Sequence, residues 1–205
     1  MGTRVITWRA DERSGEQRLE QVRVHDDLGA LRARGTILVA SGELVGSRDL
    51  AGPYRVDYEL DTGRDLATHR LVVRTEGAGW RRELWLRREP GGTWTCRRLT
   101  EPDMQGPAPT DVAELAGALD TDLVSSALFN TMPIRRSGLH QKPGTERLLM
   151  AWVSIPDLTV TPSHQTYGHV RPGVVSFDSE GGFTAEVEVD ADGYVTRYPS
   201  VALRC

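Results

Sequence analysis

Polar and apolar residues alternate along most of this chain. In Tyr54-Arg55-Val56-Asp57-Tyr58-Glu59-Leu60 the four apolar side chains share one face and the three charged ones the other. Gly182 to Asp190 repeats the pattern, which predicts Phe183, Ala185, Val187 and Val189 inside and Glu186 and Glu188 outside. Such alternation is what a sheet with one dry and one wet face requires. Weaker stretches of the same kind predict strands at 4–8, 19–25, 35–40, 69–75, 82–88, 93–99, 148–155, 158–161, 165–170 and 174–177. Glu89-Pro90-Gly91-Gly92 and Ala191-Asp192-Gly193 are turn signals between neighbouring strands. Many short strands at this spacing mean a sandwich, a barrel or a roll.

Two stretches break the alternation. Residues 104–109, Met-Gln-Gly-Pro-Ala-Pro, predict a loop, followed by helical spacing of Val112, Leu115, Ala116 and Leu119 behind a Thr110 cap. The longer break predicts one principal helix over 125–137, with Ser125 as its cap and Gly138 as its stop. Leu128, Met132 and Arg135 fall on one face of it, with Phe129 and Arg136 beside them. Pro133 lies inside this span, where it would remove a hydrogen bond, so a kink or an early end is expected there.

Composition narrows the class. The chain has 205 residues, 39% hydrophobic and 26% charged, with a formal net charge of −4. Those values predict one folded domain over 1–205 and argue against a nucleic-acid partner. No apolar run is long enough for a membrane span. The N-terminus lacks the marks of an export signal, and two cysteines, Cys96 and Cys205, make no disulfide framework; a cytoplasmic location is the expectation. Charge is unevenly spread: nine arginines lie between Arg64 and Arg98, whereas 99–134 and 178–192 carry carboxylates and no Lys or Arg. Either the arginines form an anion-binding face, or they pair across strands with those acidic segments, which is the commoner arrangement.

Asp120-Thr121-Asp122-Leu123 followed by Asn130-Thr131-Met132-Pro133-Ile134-Arg135-Arg136 resembles the central motif of the bacterial "putative glycolipid-binding" family. Trp152-Val153-Ser154-Ile155-Pro156-Asp157-Leu158, Gln165-Thr166-Tyr167 and Gly182-Phe183-Thr184-Ala185 follow in the family's order. The resemblance departs at Ser125-Ser126, where Thr-Pro is common, and at Tyr198-Pro199-Ser200-Val201. It implies a mainly β fold, a spiral β-roll in which a long antiparallel sheet wraps a single principal α-helix. It further implies a lipid or glycolipid ligand and suggests a homodimer. Fold likeness alone does not establish function.

The residues offer little catalytic machinery. No GxSxG, HExxH, phosphate-cradling loop or dinucleotide fingerprint is present, the five histidines are scattered, and no metal or cofactor is expected. The side chains that stand out are Asn130, Arg135, Arg136, Gln165 and Tyr167. On one reading Arg135 or Arg136 clamps the helix to strand carbonyls or to Asp120 and Asp122. On the other, these groups bind the head of a lipid whose tails lie against Leu128, Phe129, Met132 and Trp152. An enzyme built on Asp120, Asp122 and Arg135 is the alternative from another class, and a filled interaction module without any ligand is a third.

Overall fold

The computed structural model describes residues 2–27, 29–41, 52–101 and 111–205, and in it the alternating stretches become one sheet. Its first half is an antiparallel meander of β1 (Gly2–Ala10), β2 (Gln17–Asp27), β3 (Ala30–Ser41), β4 (Tyr54–Thr62), β5 (Thr68–Gly77), β6 (Trp80–Arg88) and β7 (Trp94–Glu101). The second half comprises β8 (Asp120–Leu123), β9 (Thr145–Val153), β10 (Val160–Arg171), β11 (Val174–Ser179), β12 (Thr184–Val189), β13 (Val195–Tyr198) and β14 (Ala202–Arg204). Trp8 on β1 lies opposite Arg204 on β14, so the two halves fuse into 14 strands with β7 at one edge and β8 at the other.

The sheet curls until those edges approach each other. The Thr68 amide on β5 donates to the Leu119 carbonyl at 2.8 Å, and the Thr121 amide on β8 donates to Thr68 Oγ1 at 3.1 Å. The Trp94 indole on β7 donates to the Ala118 carbonyl at 3.2 Å. The result is a mainly β roll, not closed by strand pairing and wrapped around one short helix, as the family resemblance implies.

The helix exists because of topology. β8 and β9 pair in parallel, and a parallel pair needs a crossover of a dozen residues or more. Residues 124–144 supply it, with a 3-10 turn at Leu128–Asn130 that runs into α1 (Thr131–Ser137), the one α-helix among the described residues. The predicted helix therefore starts six residues late. Ser125 is no cap; it sits at φ 66 in a left-handed turn that redirects the chain. Pro133 falls in the first turn of α1, where a missing N–H costs little. Gly138 ends the helix at φ 68, its N–H on the Arg135 carbonyl at 3.2 Å and that of Leu139 on the Ile134 carbonyl at 3.1 Å.

Register explains the core. Val22, Gly35, Tyr58, Val73 and Leu84 lie in one row across β2 to β6 on the inner face. Tyr58 lies over Gly35, where an added Cβ would come within 2.1 Å of its ring. Tyr54, Val56, Tyr58, Val187 and Val189 are buried and Arg55 and Glu186 exposed, as the alternation requires, while Asp57 and Glu188 are half-buried.

Other expectations need correction. Phe183 is 39% exposed, because it ends the turn before β12 and precedes the pleat; its ring leans on Phe177 and Tyr198. Segments 158–161 and 165–170 are one strand, β10, whose Pro162 is tolerated because pairing with β11 begins only at Gln165. The turn at Val112–Leu115 is capped by Asp111, which accepts from the Ala113 amide at 2.9 Å; Thr110 and the loop at 104–109 lie outside the described residues. Arg70, Arg74, Arg81, Arg82 and Arg87 do pair, but with Glu59, Asp61, Glu83, Asp157 and Glu89, not with the two acidic segments.

Candidate functional site

The crossover carries an apolar stripe and a set of polar groups that reach back to the sheet. Leu128, Phe129, Met132 and Ile134 have no measurable exposure and belong to the core cluster, with the Phe129 ring 5.4 Å from that of Tyr58.

Below the 3-10 turn, four polar side chains form a chain of contacts. Asp122 accepts from Gln165 Nε2 at 2.7 Å, and Gln165 Oε1 accepts from the Tyr167 hydroxyl at 3.0 Å. That hydroxyl lies 3.1 Å from the Asn130 side chain. Asp122 fixes which way the Gln165 amide points, and the single Tyr167 hydroxyl proton faces two acceptors, Gln165 Oε1 and Asn130 Oδ1. Burial outweighs the Gln165 hydrogen bond and, with Asp120 nearby, pushes the Asp122 carboxyl up to about 6. Burial likewise holds the Tyr167 phenol well above its ordinary range.

The arginines divide between two sites. Arg136 grips the fully buried Asp120 through both Nη atoms, one at 2.8 Å, a two-point clamp of the kind the guanidinium fork suits. Burial still raises the Asp120 pKa, against the lowering effect of Arg136. Arg135 turns the other way, with Nη1 2.6 Å from Asp26 on β2 and its guanidinium 5.6 Å from the Tyr194 ring centroid. Asp120, Asp122 and Arg135 are thus not assembled as one constellation. Trp152, in register with Asp122 and Thr161, is half-buried and outside the core cluster that holds Phe129.

The residue that most constrains the crossover escapes the sequence reading. Glu20, on β2 and fully buried, accepts from the Tyr58 hydroxyl at 2.7 Å, from the Ser126 hydroxyl, and from the Ala127 amide at 3.1 Å. It does from a distant strand what an N-cap does locally. Burial raises its pKa against the pull of those donors. A signal exists: extending the phase of Val22 and Val24 backwards places Glu20 and Arg18 inside and leaves Leu19 outside, where it is 43% exposed.

A model of the family described as "Putative glycolipid-binding" matches residues 5–204. The chain belongs to that family. A crystal structure of a DUF1089 family protein from Pseudomonas aeruginosa is similar over 97% of this chain and 95% of that one, with a TM-score of 0.74 and 24% identity, a likeness of fold. No curated protein sequence matches the chain. In this family member no described helix is long and apolar enough to cross a membrane. Among the described residues no group of three His, Cys, Asp or Glu is placed to hold a metal. Chemically, the site offers hydrogen bonding and apolar contact; its carboxylates are each engaged by a protein donor.

Proposed function

We propose that this protein is a non-catalytic binder of a glycolipid or similar amphiphile, admitted when the crossover moves off the sheet. The observation that carries the reading is the way the apolar stripe is held. Leu128, Phe129 and Met132 lie between polar clasps: Glu20 before the 3-10 turn, Asp26 and Asp120 at the arginine end of α1. A seven-residue helix has little stability of its own, so its position depends on those clasps and on the stripe. In the open form Leu128, Phe129 and Met132 would meet acyl chains, with Trp152 at the flank. Asn130, Gln165 and Tyr167 would meet the hydroxyl-rich head, joined by Arg135 or Arg136 once either is released from its carboxylate. The family description supports the same ligand class.

The complete burial of the stripe favours a second reading, a filled core with no ligand. Phe129→Ala separates the two. A core filler should lose about 3–5 kcal/mol, with an unfolding midpoint indifferent to amphiphile. A binding stripe should make the wild-type midpoint rise with octyl glucoside below its micellar concentration, and the variant should lose most of that rise. A midpoint unmoved by the amphiphile in both proteins contradicts the proposal.

A further inference from the structure

The outer face of the sheet, opposite the crossover, holds an open cleft of about 840 Å³ across β2 to β5, walled by Arg23, Arg32, Arg34, Asp61, His25 and Arg70. It continues into a second hollow of about 490 Å³ that shares His25 and Arg32. The register sets its charge. Arg23 on β2 lies directly opposite Arg34 on β3, and both are exposed. Like charges directly opposed across strands are destabilising, and elsewhere on this face arginines sit beside carboxylates. Arg70, for example, is engaged by Glu59 at 3.4 Å and Asp61 at 3.2 Å. Arg32 reaches Asp61 only at 4.0 Å. Arg34 faces Glu59 on β4 in register, a carboxylate already shared by Arg70 and Arg74, and neither Arg23 nor Arg34 forms an ion pair of its own among the described residues.

We propose that this cleft binds the phosphate group of a phosphorylated sugar or polyol, either free in solution or as the head of a lipid. Two guanidinium forks side by side, with only the shared Glu59 in their row, match an anion with several terminal oxygens and more than one charge. The carboxylates at the far wall, held by Arg70, offer acceptors for the hydroxyls of the same ligand. Two rows away on this face the paired Leu19 and Leu38 are 43% and 51% exposed, an apolar contact that a lipid would use and a soluble ester would not. The cleft lies on the opposite face from α1, so this proposal stands apart from the reading of the crossover.

The test uses glucose 6-phosphate against glucose by titration calorimetry, and flotation with phosphatidylinositol 4-phosphate–phosphatidylcholine vesicles. Arg23→Gln/Arg34→Gln is compared with wild type and with Arg147→Gln, an exposed arginine of β9 that does not line the cleft and whose partner is Glu180. Wild type should prefer the phosphate ester or the anionic vesicles, and the double variant should bind at least about tenfold more weakly. The Arg147 variant should bind as wild type does. Binding to vesicles alone, reduced by Leu38→Ser, assigns a lipid-borne phosphate; binding of the free ester, indifferent to Leu38→Ser, assigns a soluble one. If the double variant does not fold, Arg34→Gln alone carries the comparison. The proposal is overturned if neither probe binds, or if the Arg23 and Arg34 variants bind like wild type or no worse than Arg147→Gln.

Discussion

The sheet from β2 to β6 and the crossover at 124–144 are built on opposite principles. Across β2 to β6 the inward-facing apolar side chains are buried by their neighbours in the same row, and most ion pairs lie outside, as Arg70 with Asp61 does. In the crossover, burial of Leu128, Phe129 and Met132 goes with ionisable groups held inside: Glu20 and Asp120 are buried and Asp122 is half-buried, all within or beside its contacts. The first region is held by a repeating local rule. The second is held by a few long-range polar contacts, each of which is costly to lose because its partner stays behind in a dry interior.

The sharpest way to break this contrast is Glu20→Ala. It strands the Tyr58 and Ser126 hydroxyls and the Ala127 amide together, and roughly 3–9 kcal/mol should be lost at 1–3 kcal/mol for each buried orphan. Denaturant titration measures it, and a loss under about 1 kcal/mol would mean that Glu20 does not hold the crossover. Next comes a matched pair of arginines. Arg136→Gln leaves Asp120 as an uncompensated buried charge and should cost about 3–5 kcal/mol. Arg70→Gln removes ion pairs at an arginine side chain that is 41% exposed, and should change stability by no more than about 1 kcal/mol. Equal losses would erase the distinction between the two regions.

A smaller effect is visible only against pH. The Asp122 carboxyl titrates near 6 when folded, above the ordinary carboxylate value, so the native state holds the extra proton between about pH 4 and 6. Stability from this group is therefore present below that window and lost as pH rises through it. Asp122→Asn keeps an acceptor for Gln165 and removes the titration. It should be more stable than wild type by about 1–3 kcal/mol at pH 7.5 and close to it at pH 4, read from urea midpoints at both pH values.

The same contrast decides what the sequence discloses. Tyr54 to Leu60 states its own pleat, and twelve of the fourteen strands follow from such stretches or from turns between them. β14 has three residues, too few to show a period, and β8 has four, read as motif before strand. The site is legible only in part. The pairing of Arg136 with Asp120 is within the range weighed from the motif, and Gln165 and Tyr167 are adjacent in the same strand. Glu20 and Ser126 are 106 positions apart, and Asp26 and Arg135 are also brought together only by the roll. No local spacing encodes such contacts, so Ser125 passes for a cap that β2 in fact supplies.

Native-state hydrogen exchange across 126–139, with and without octyl glucoside, tests the central claim most directly. If polar clasps hold a crossover that can leave the sheet, its amides should exchange through an opening of lower free energy than those of β2 to β6. Glu20→Gln should lower that energy further, and the amphiphile should alter protection in this segment while leaving the strands unchanged. Exchange of 126–139 only by global unfolding, at the rate of the core strands and untouched by amphiphile, would contradict the account.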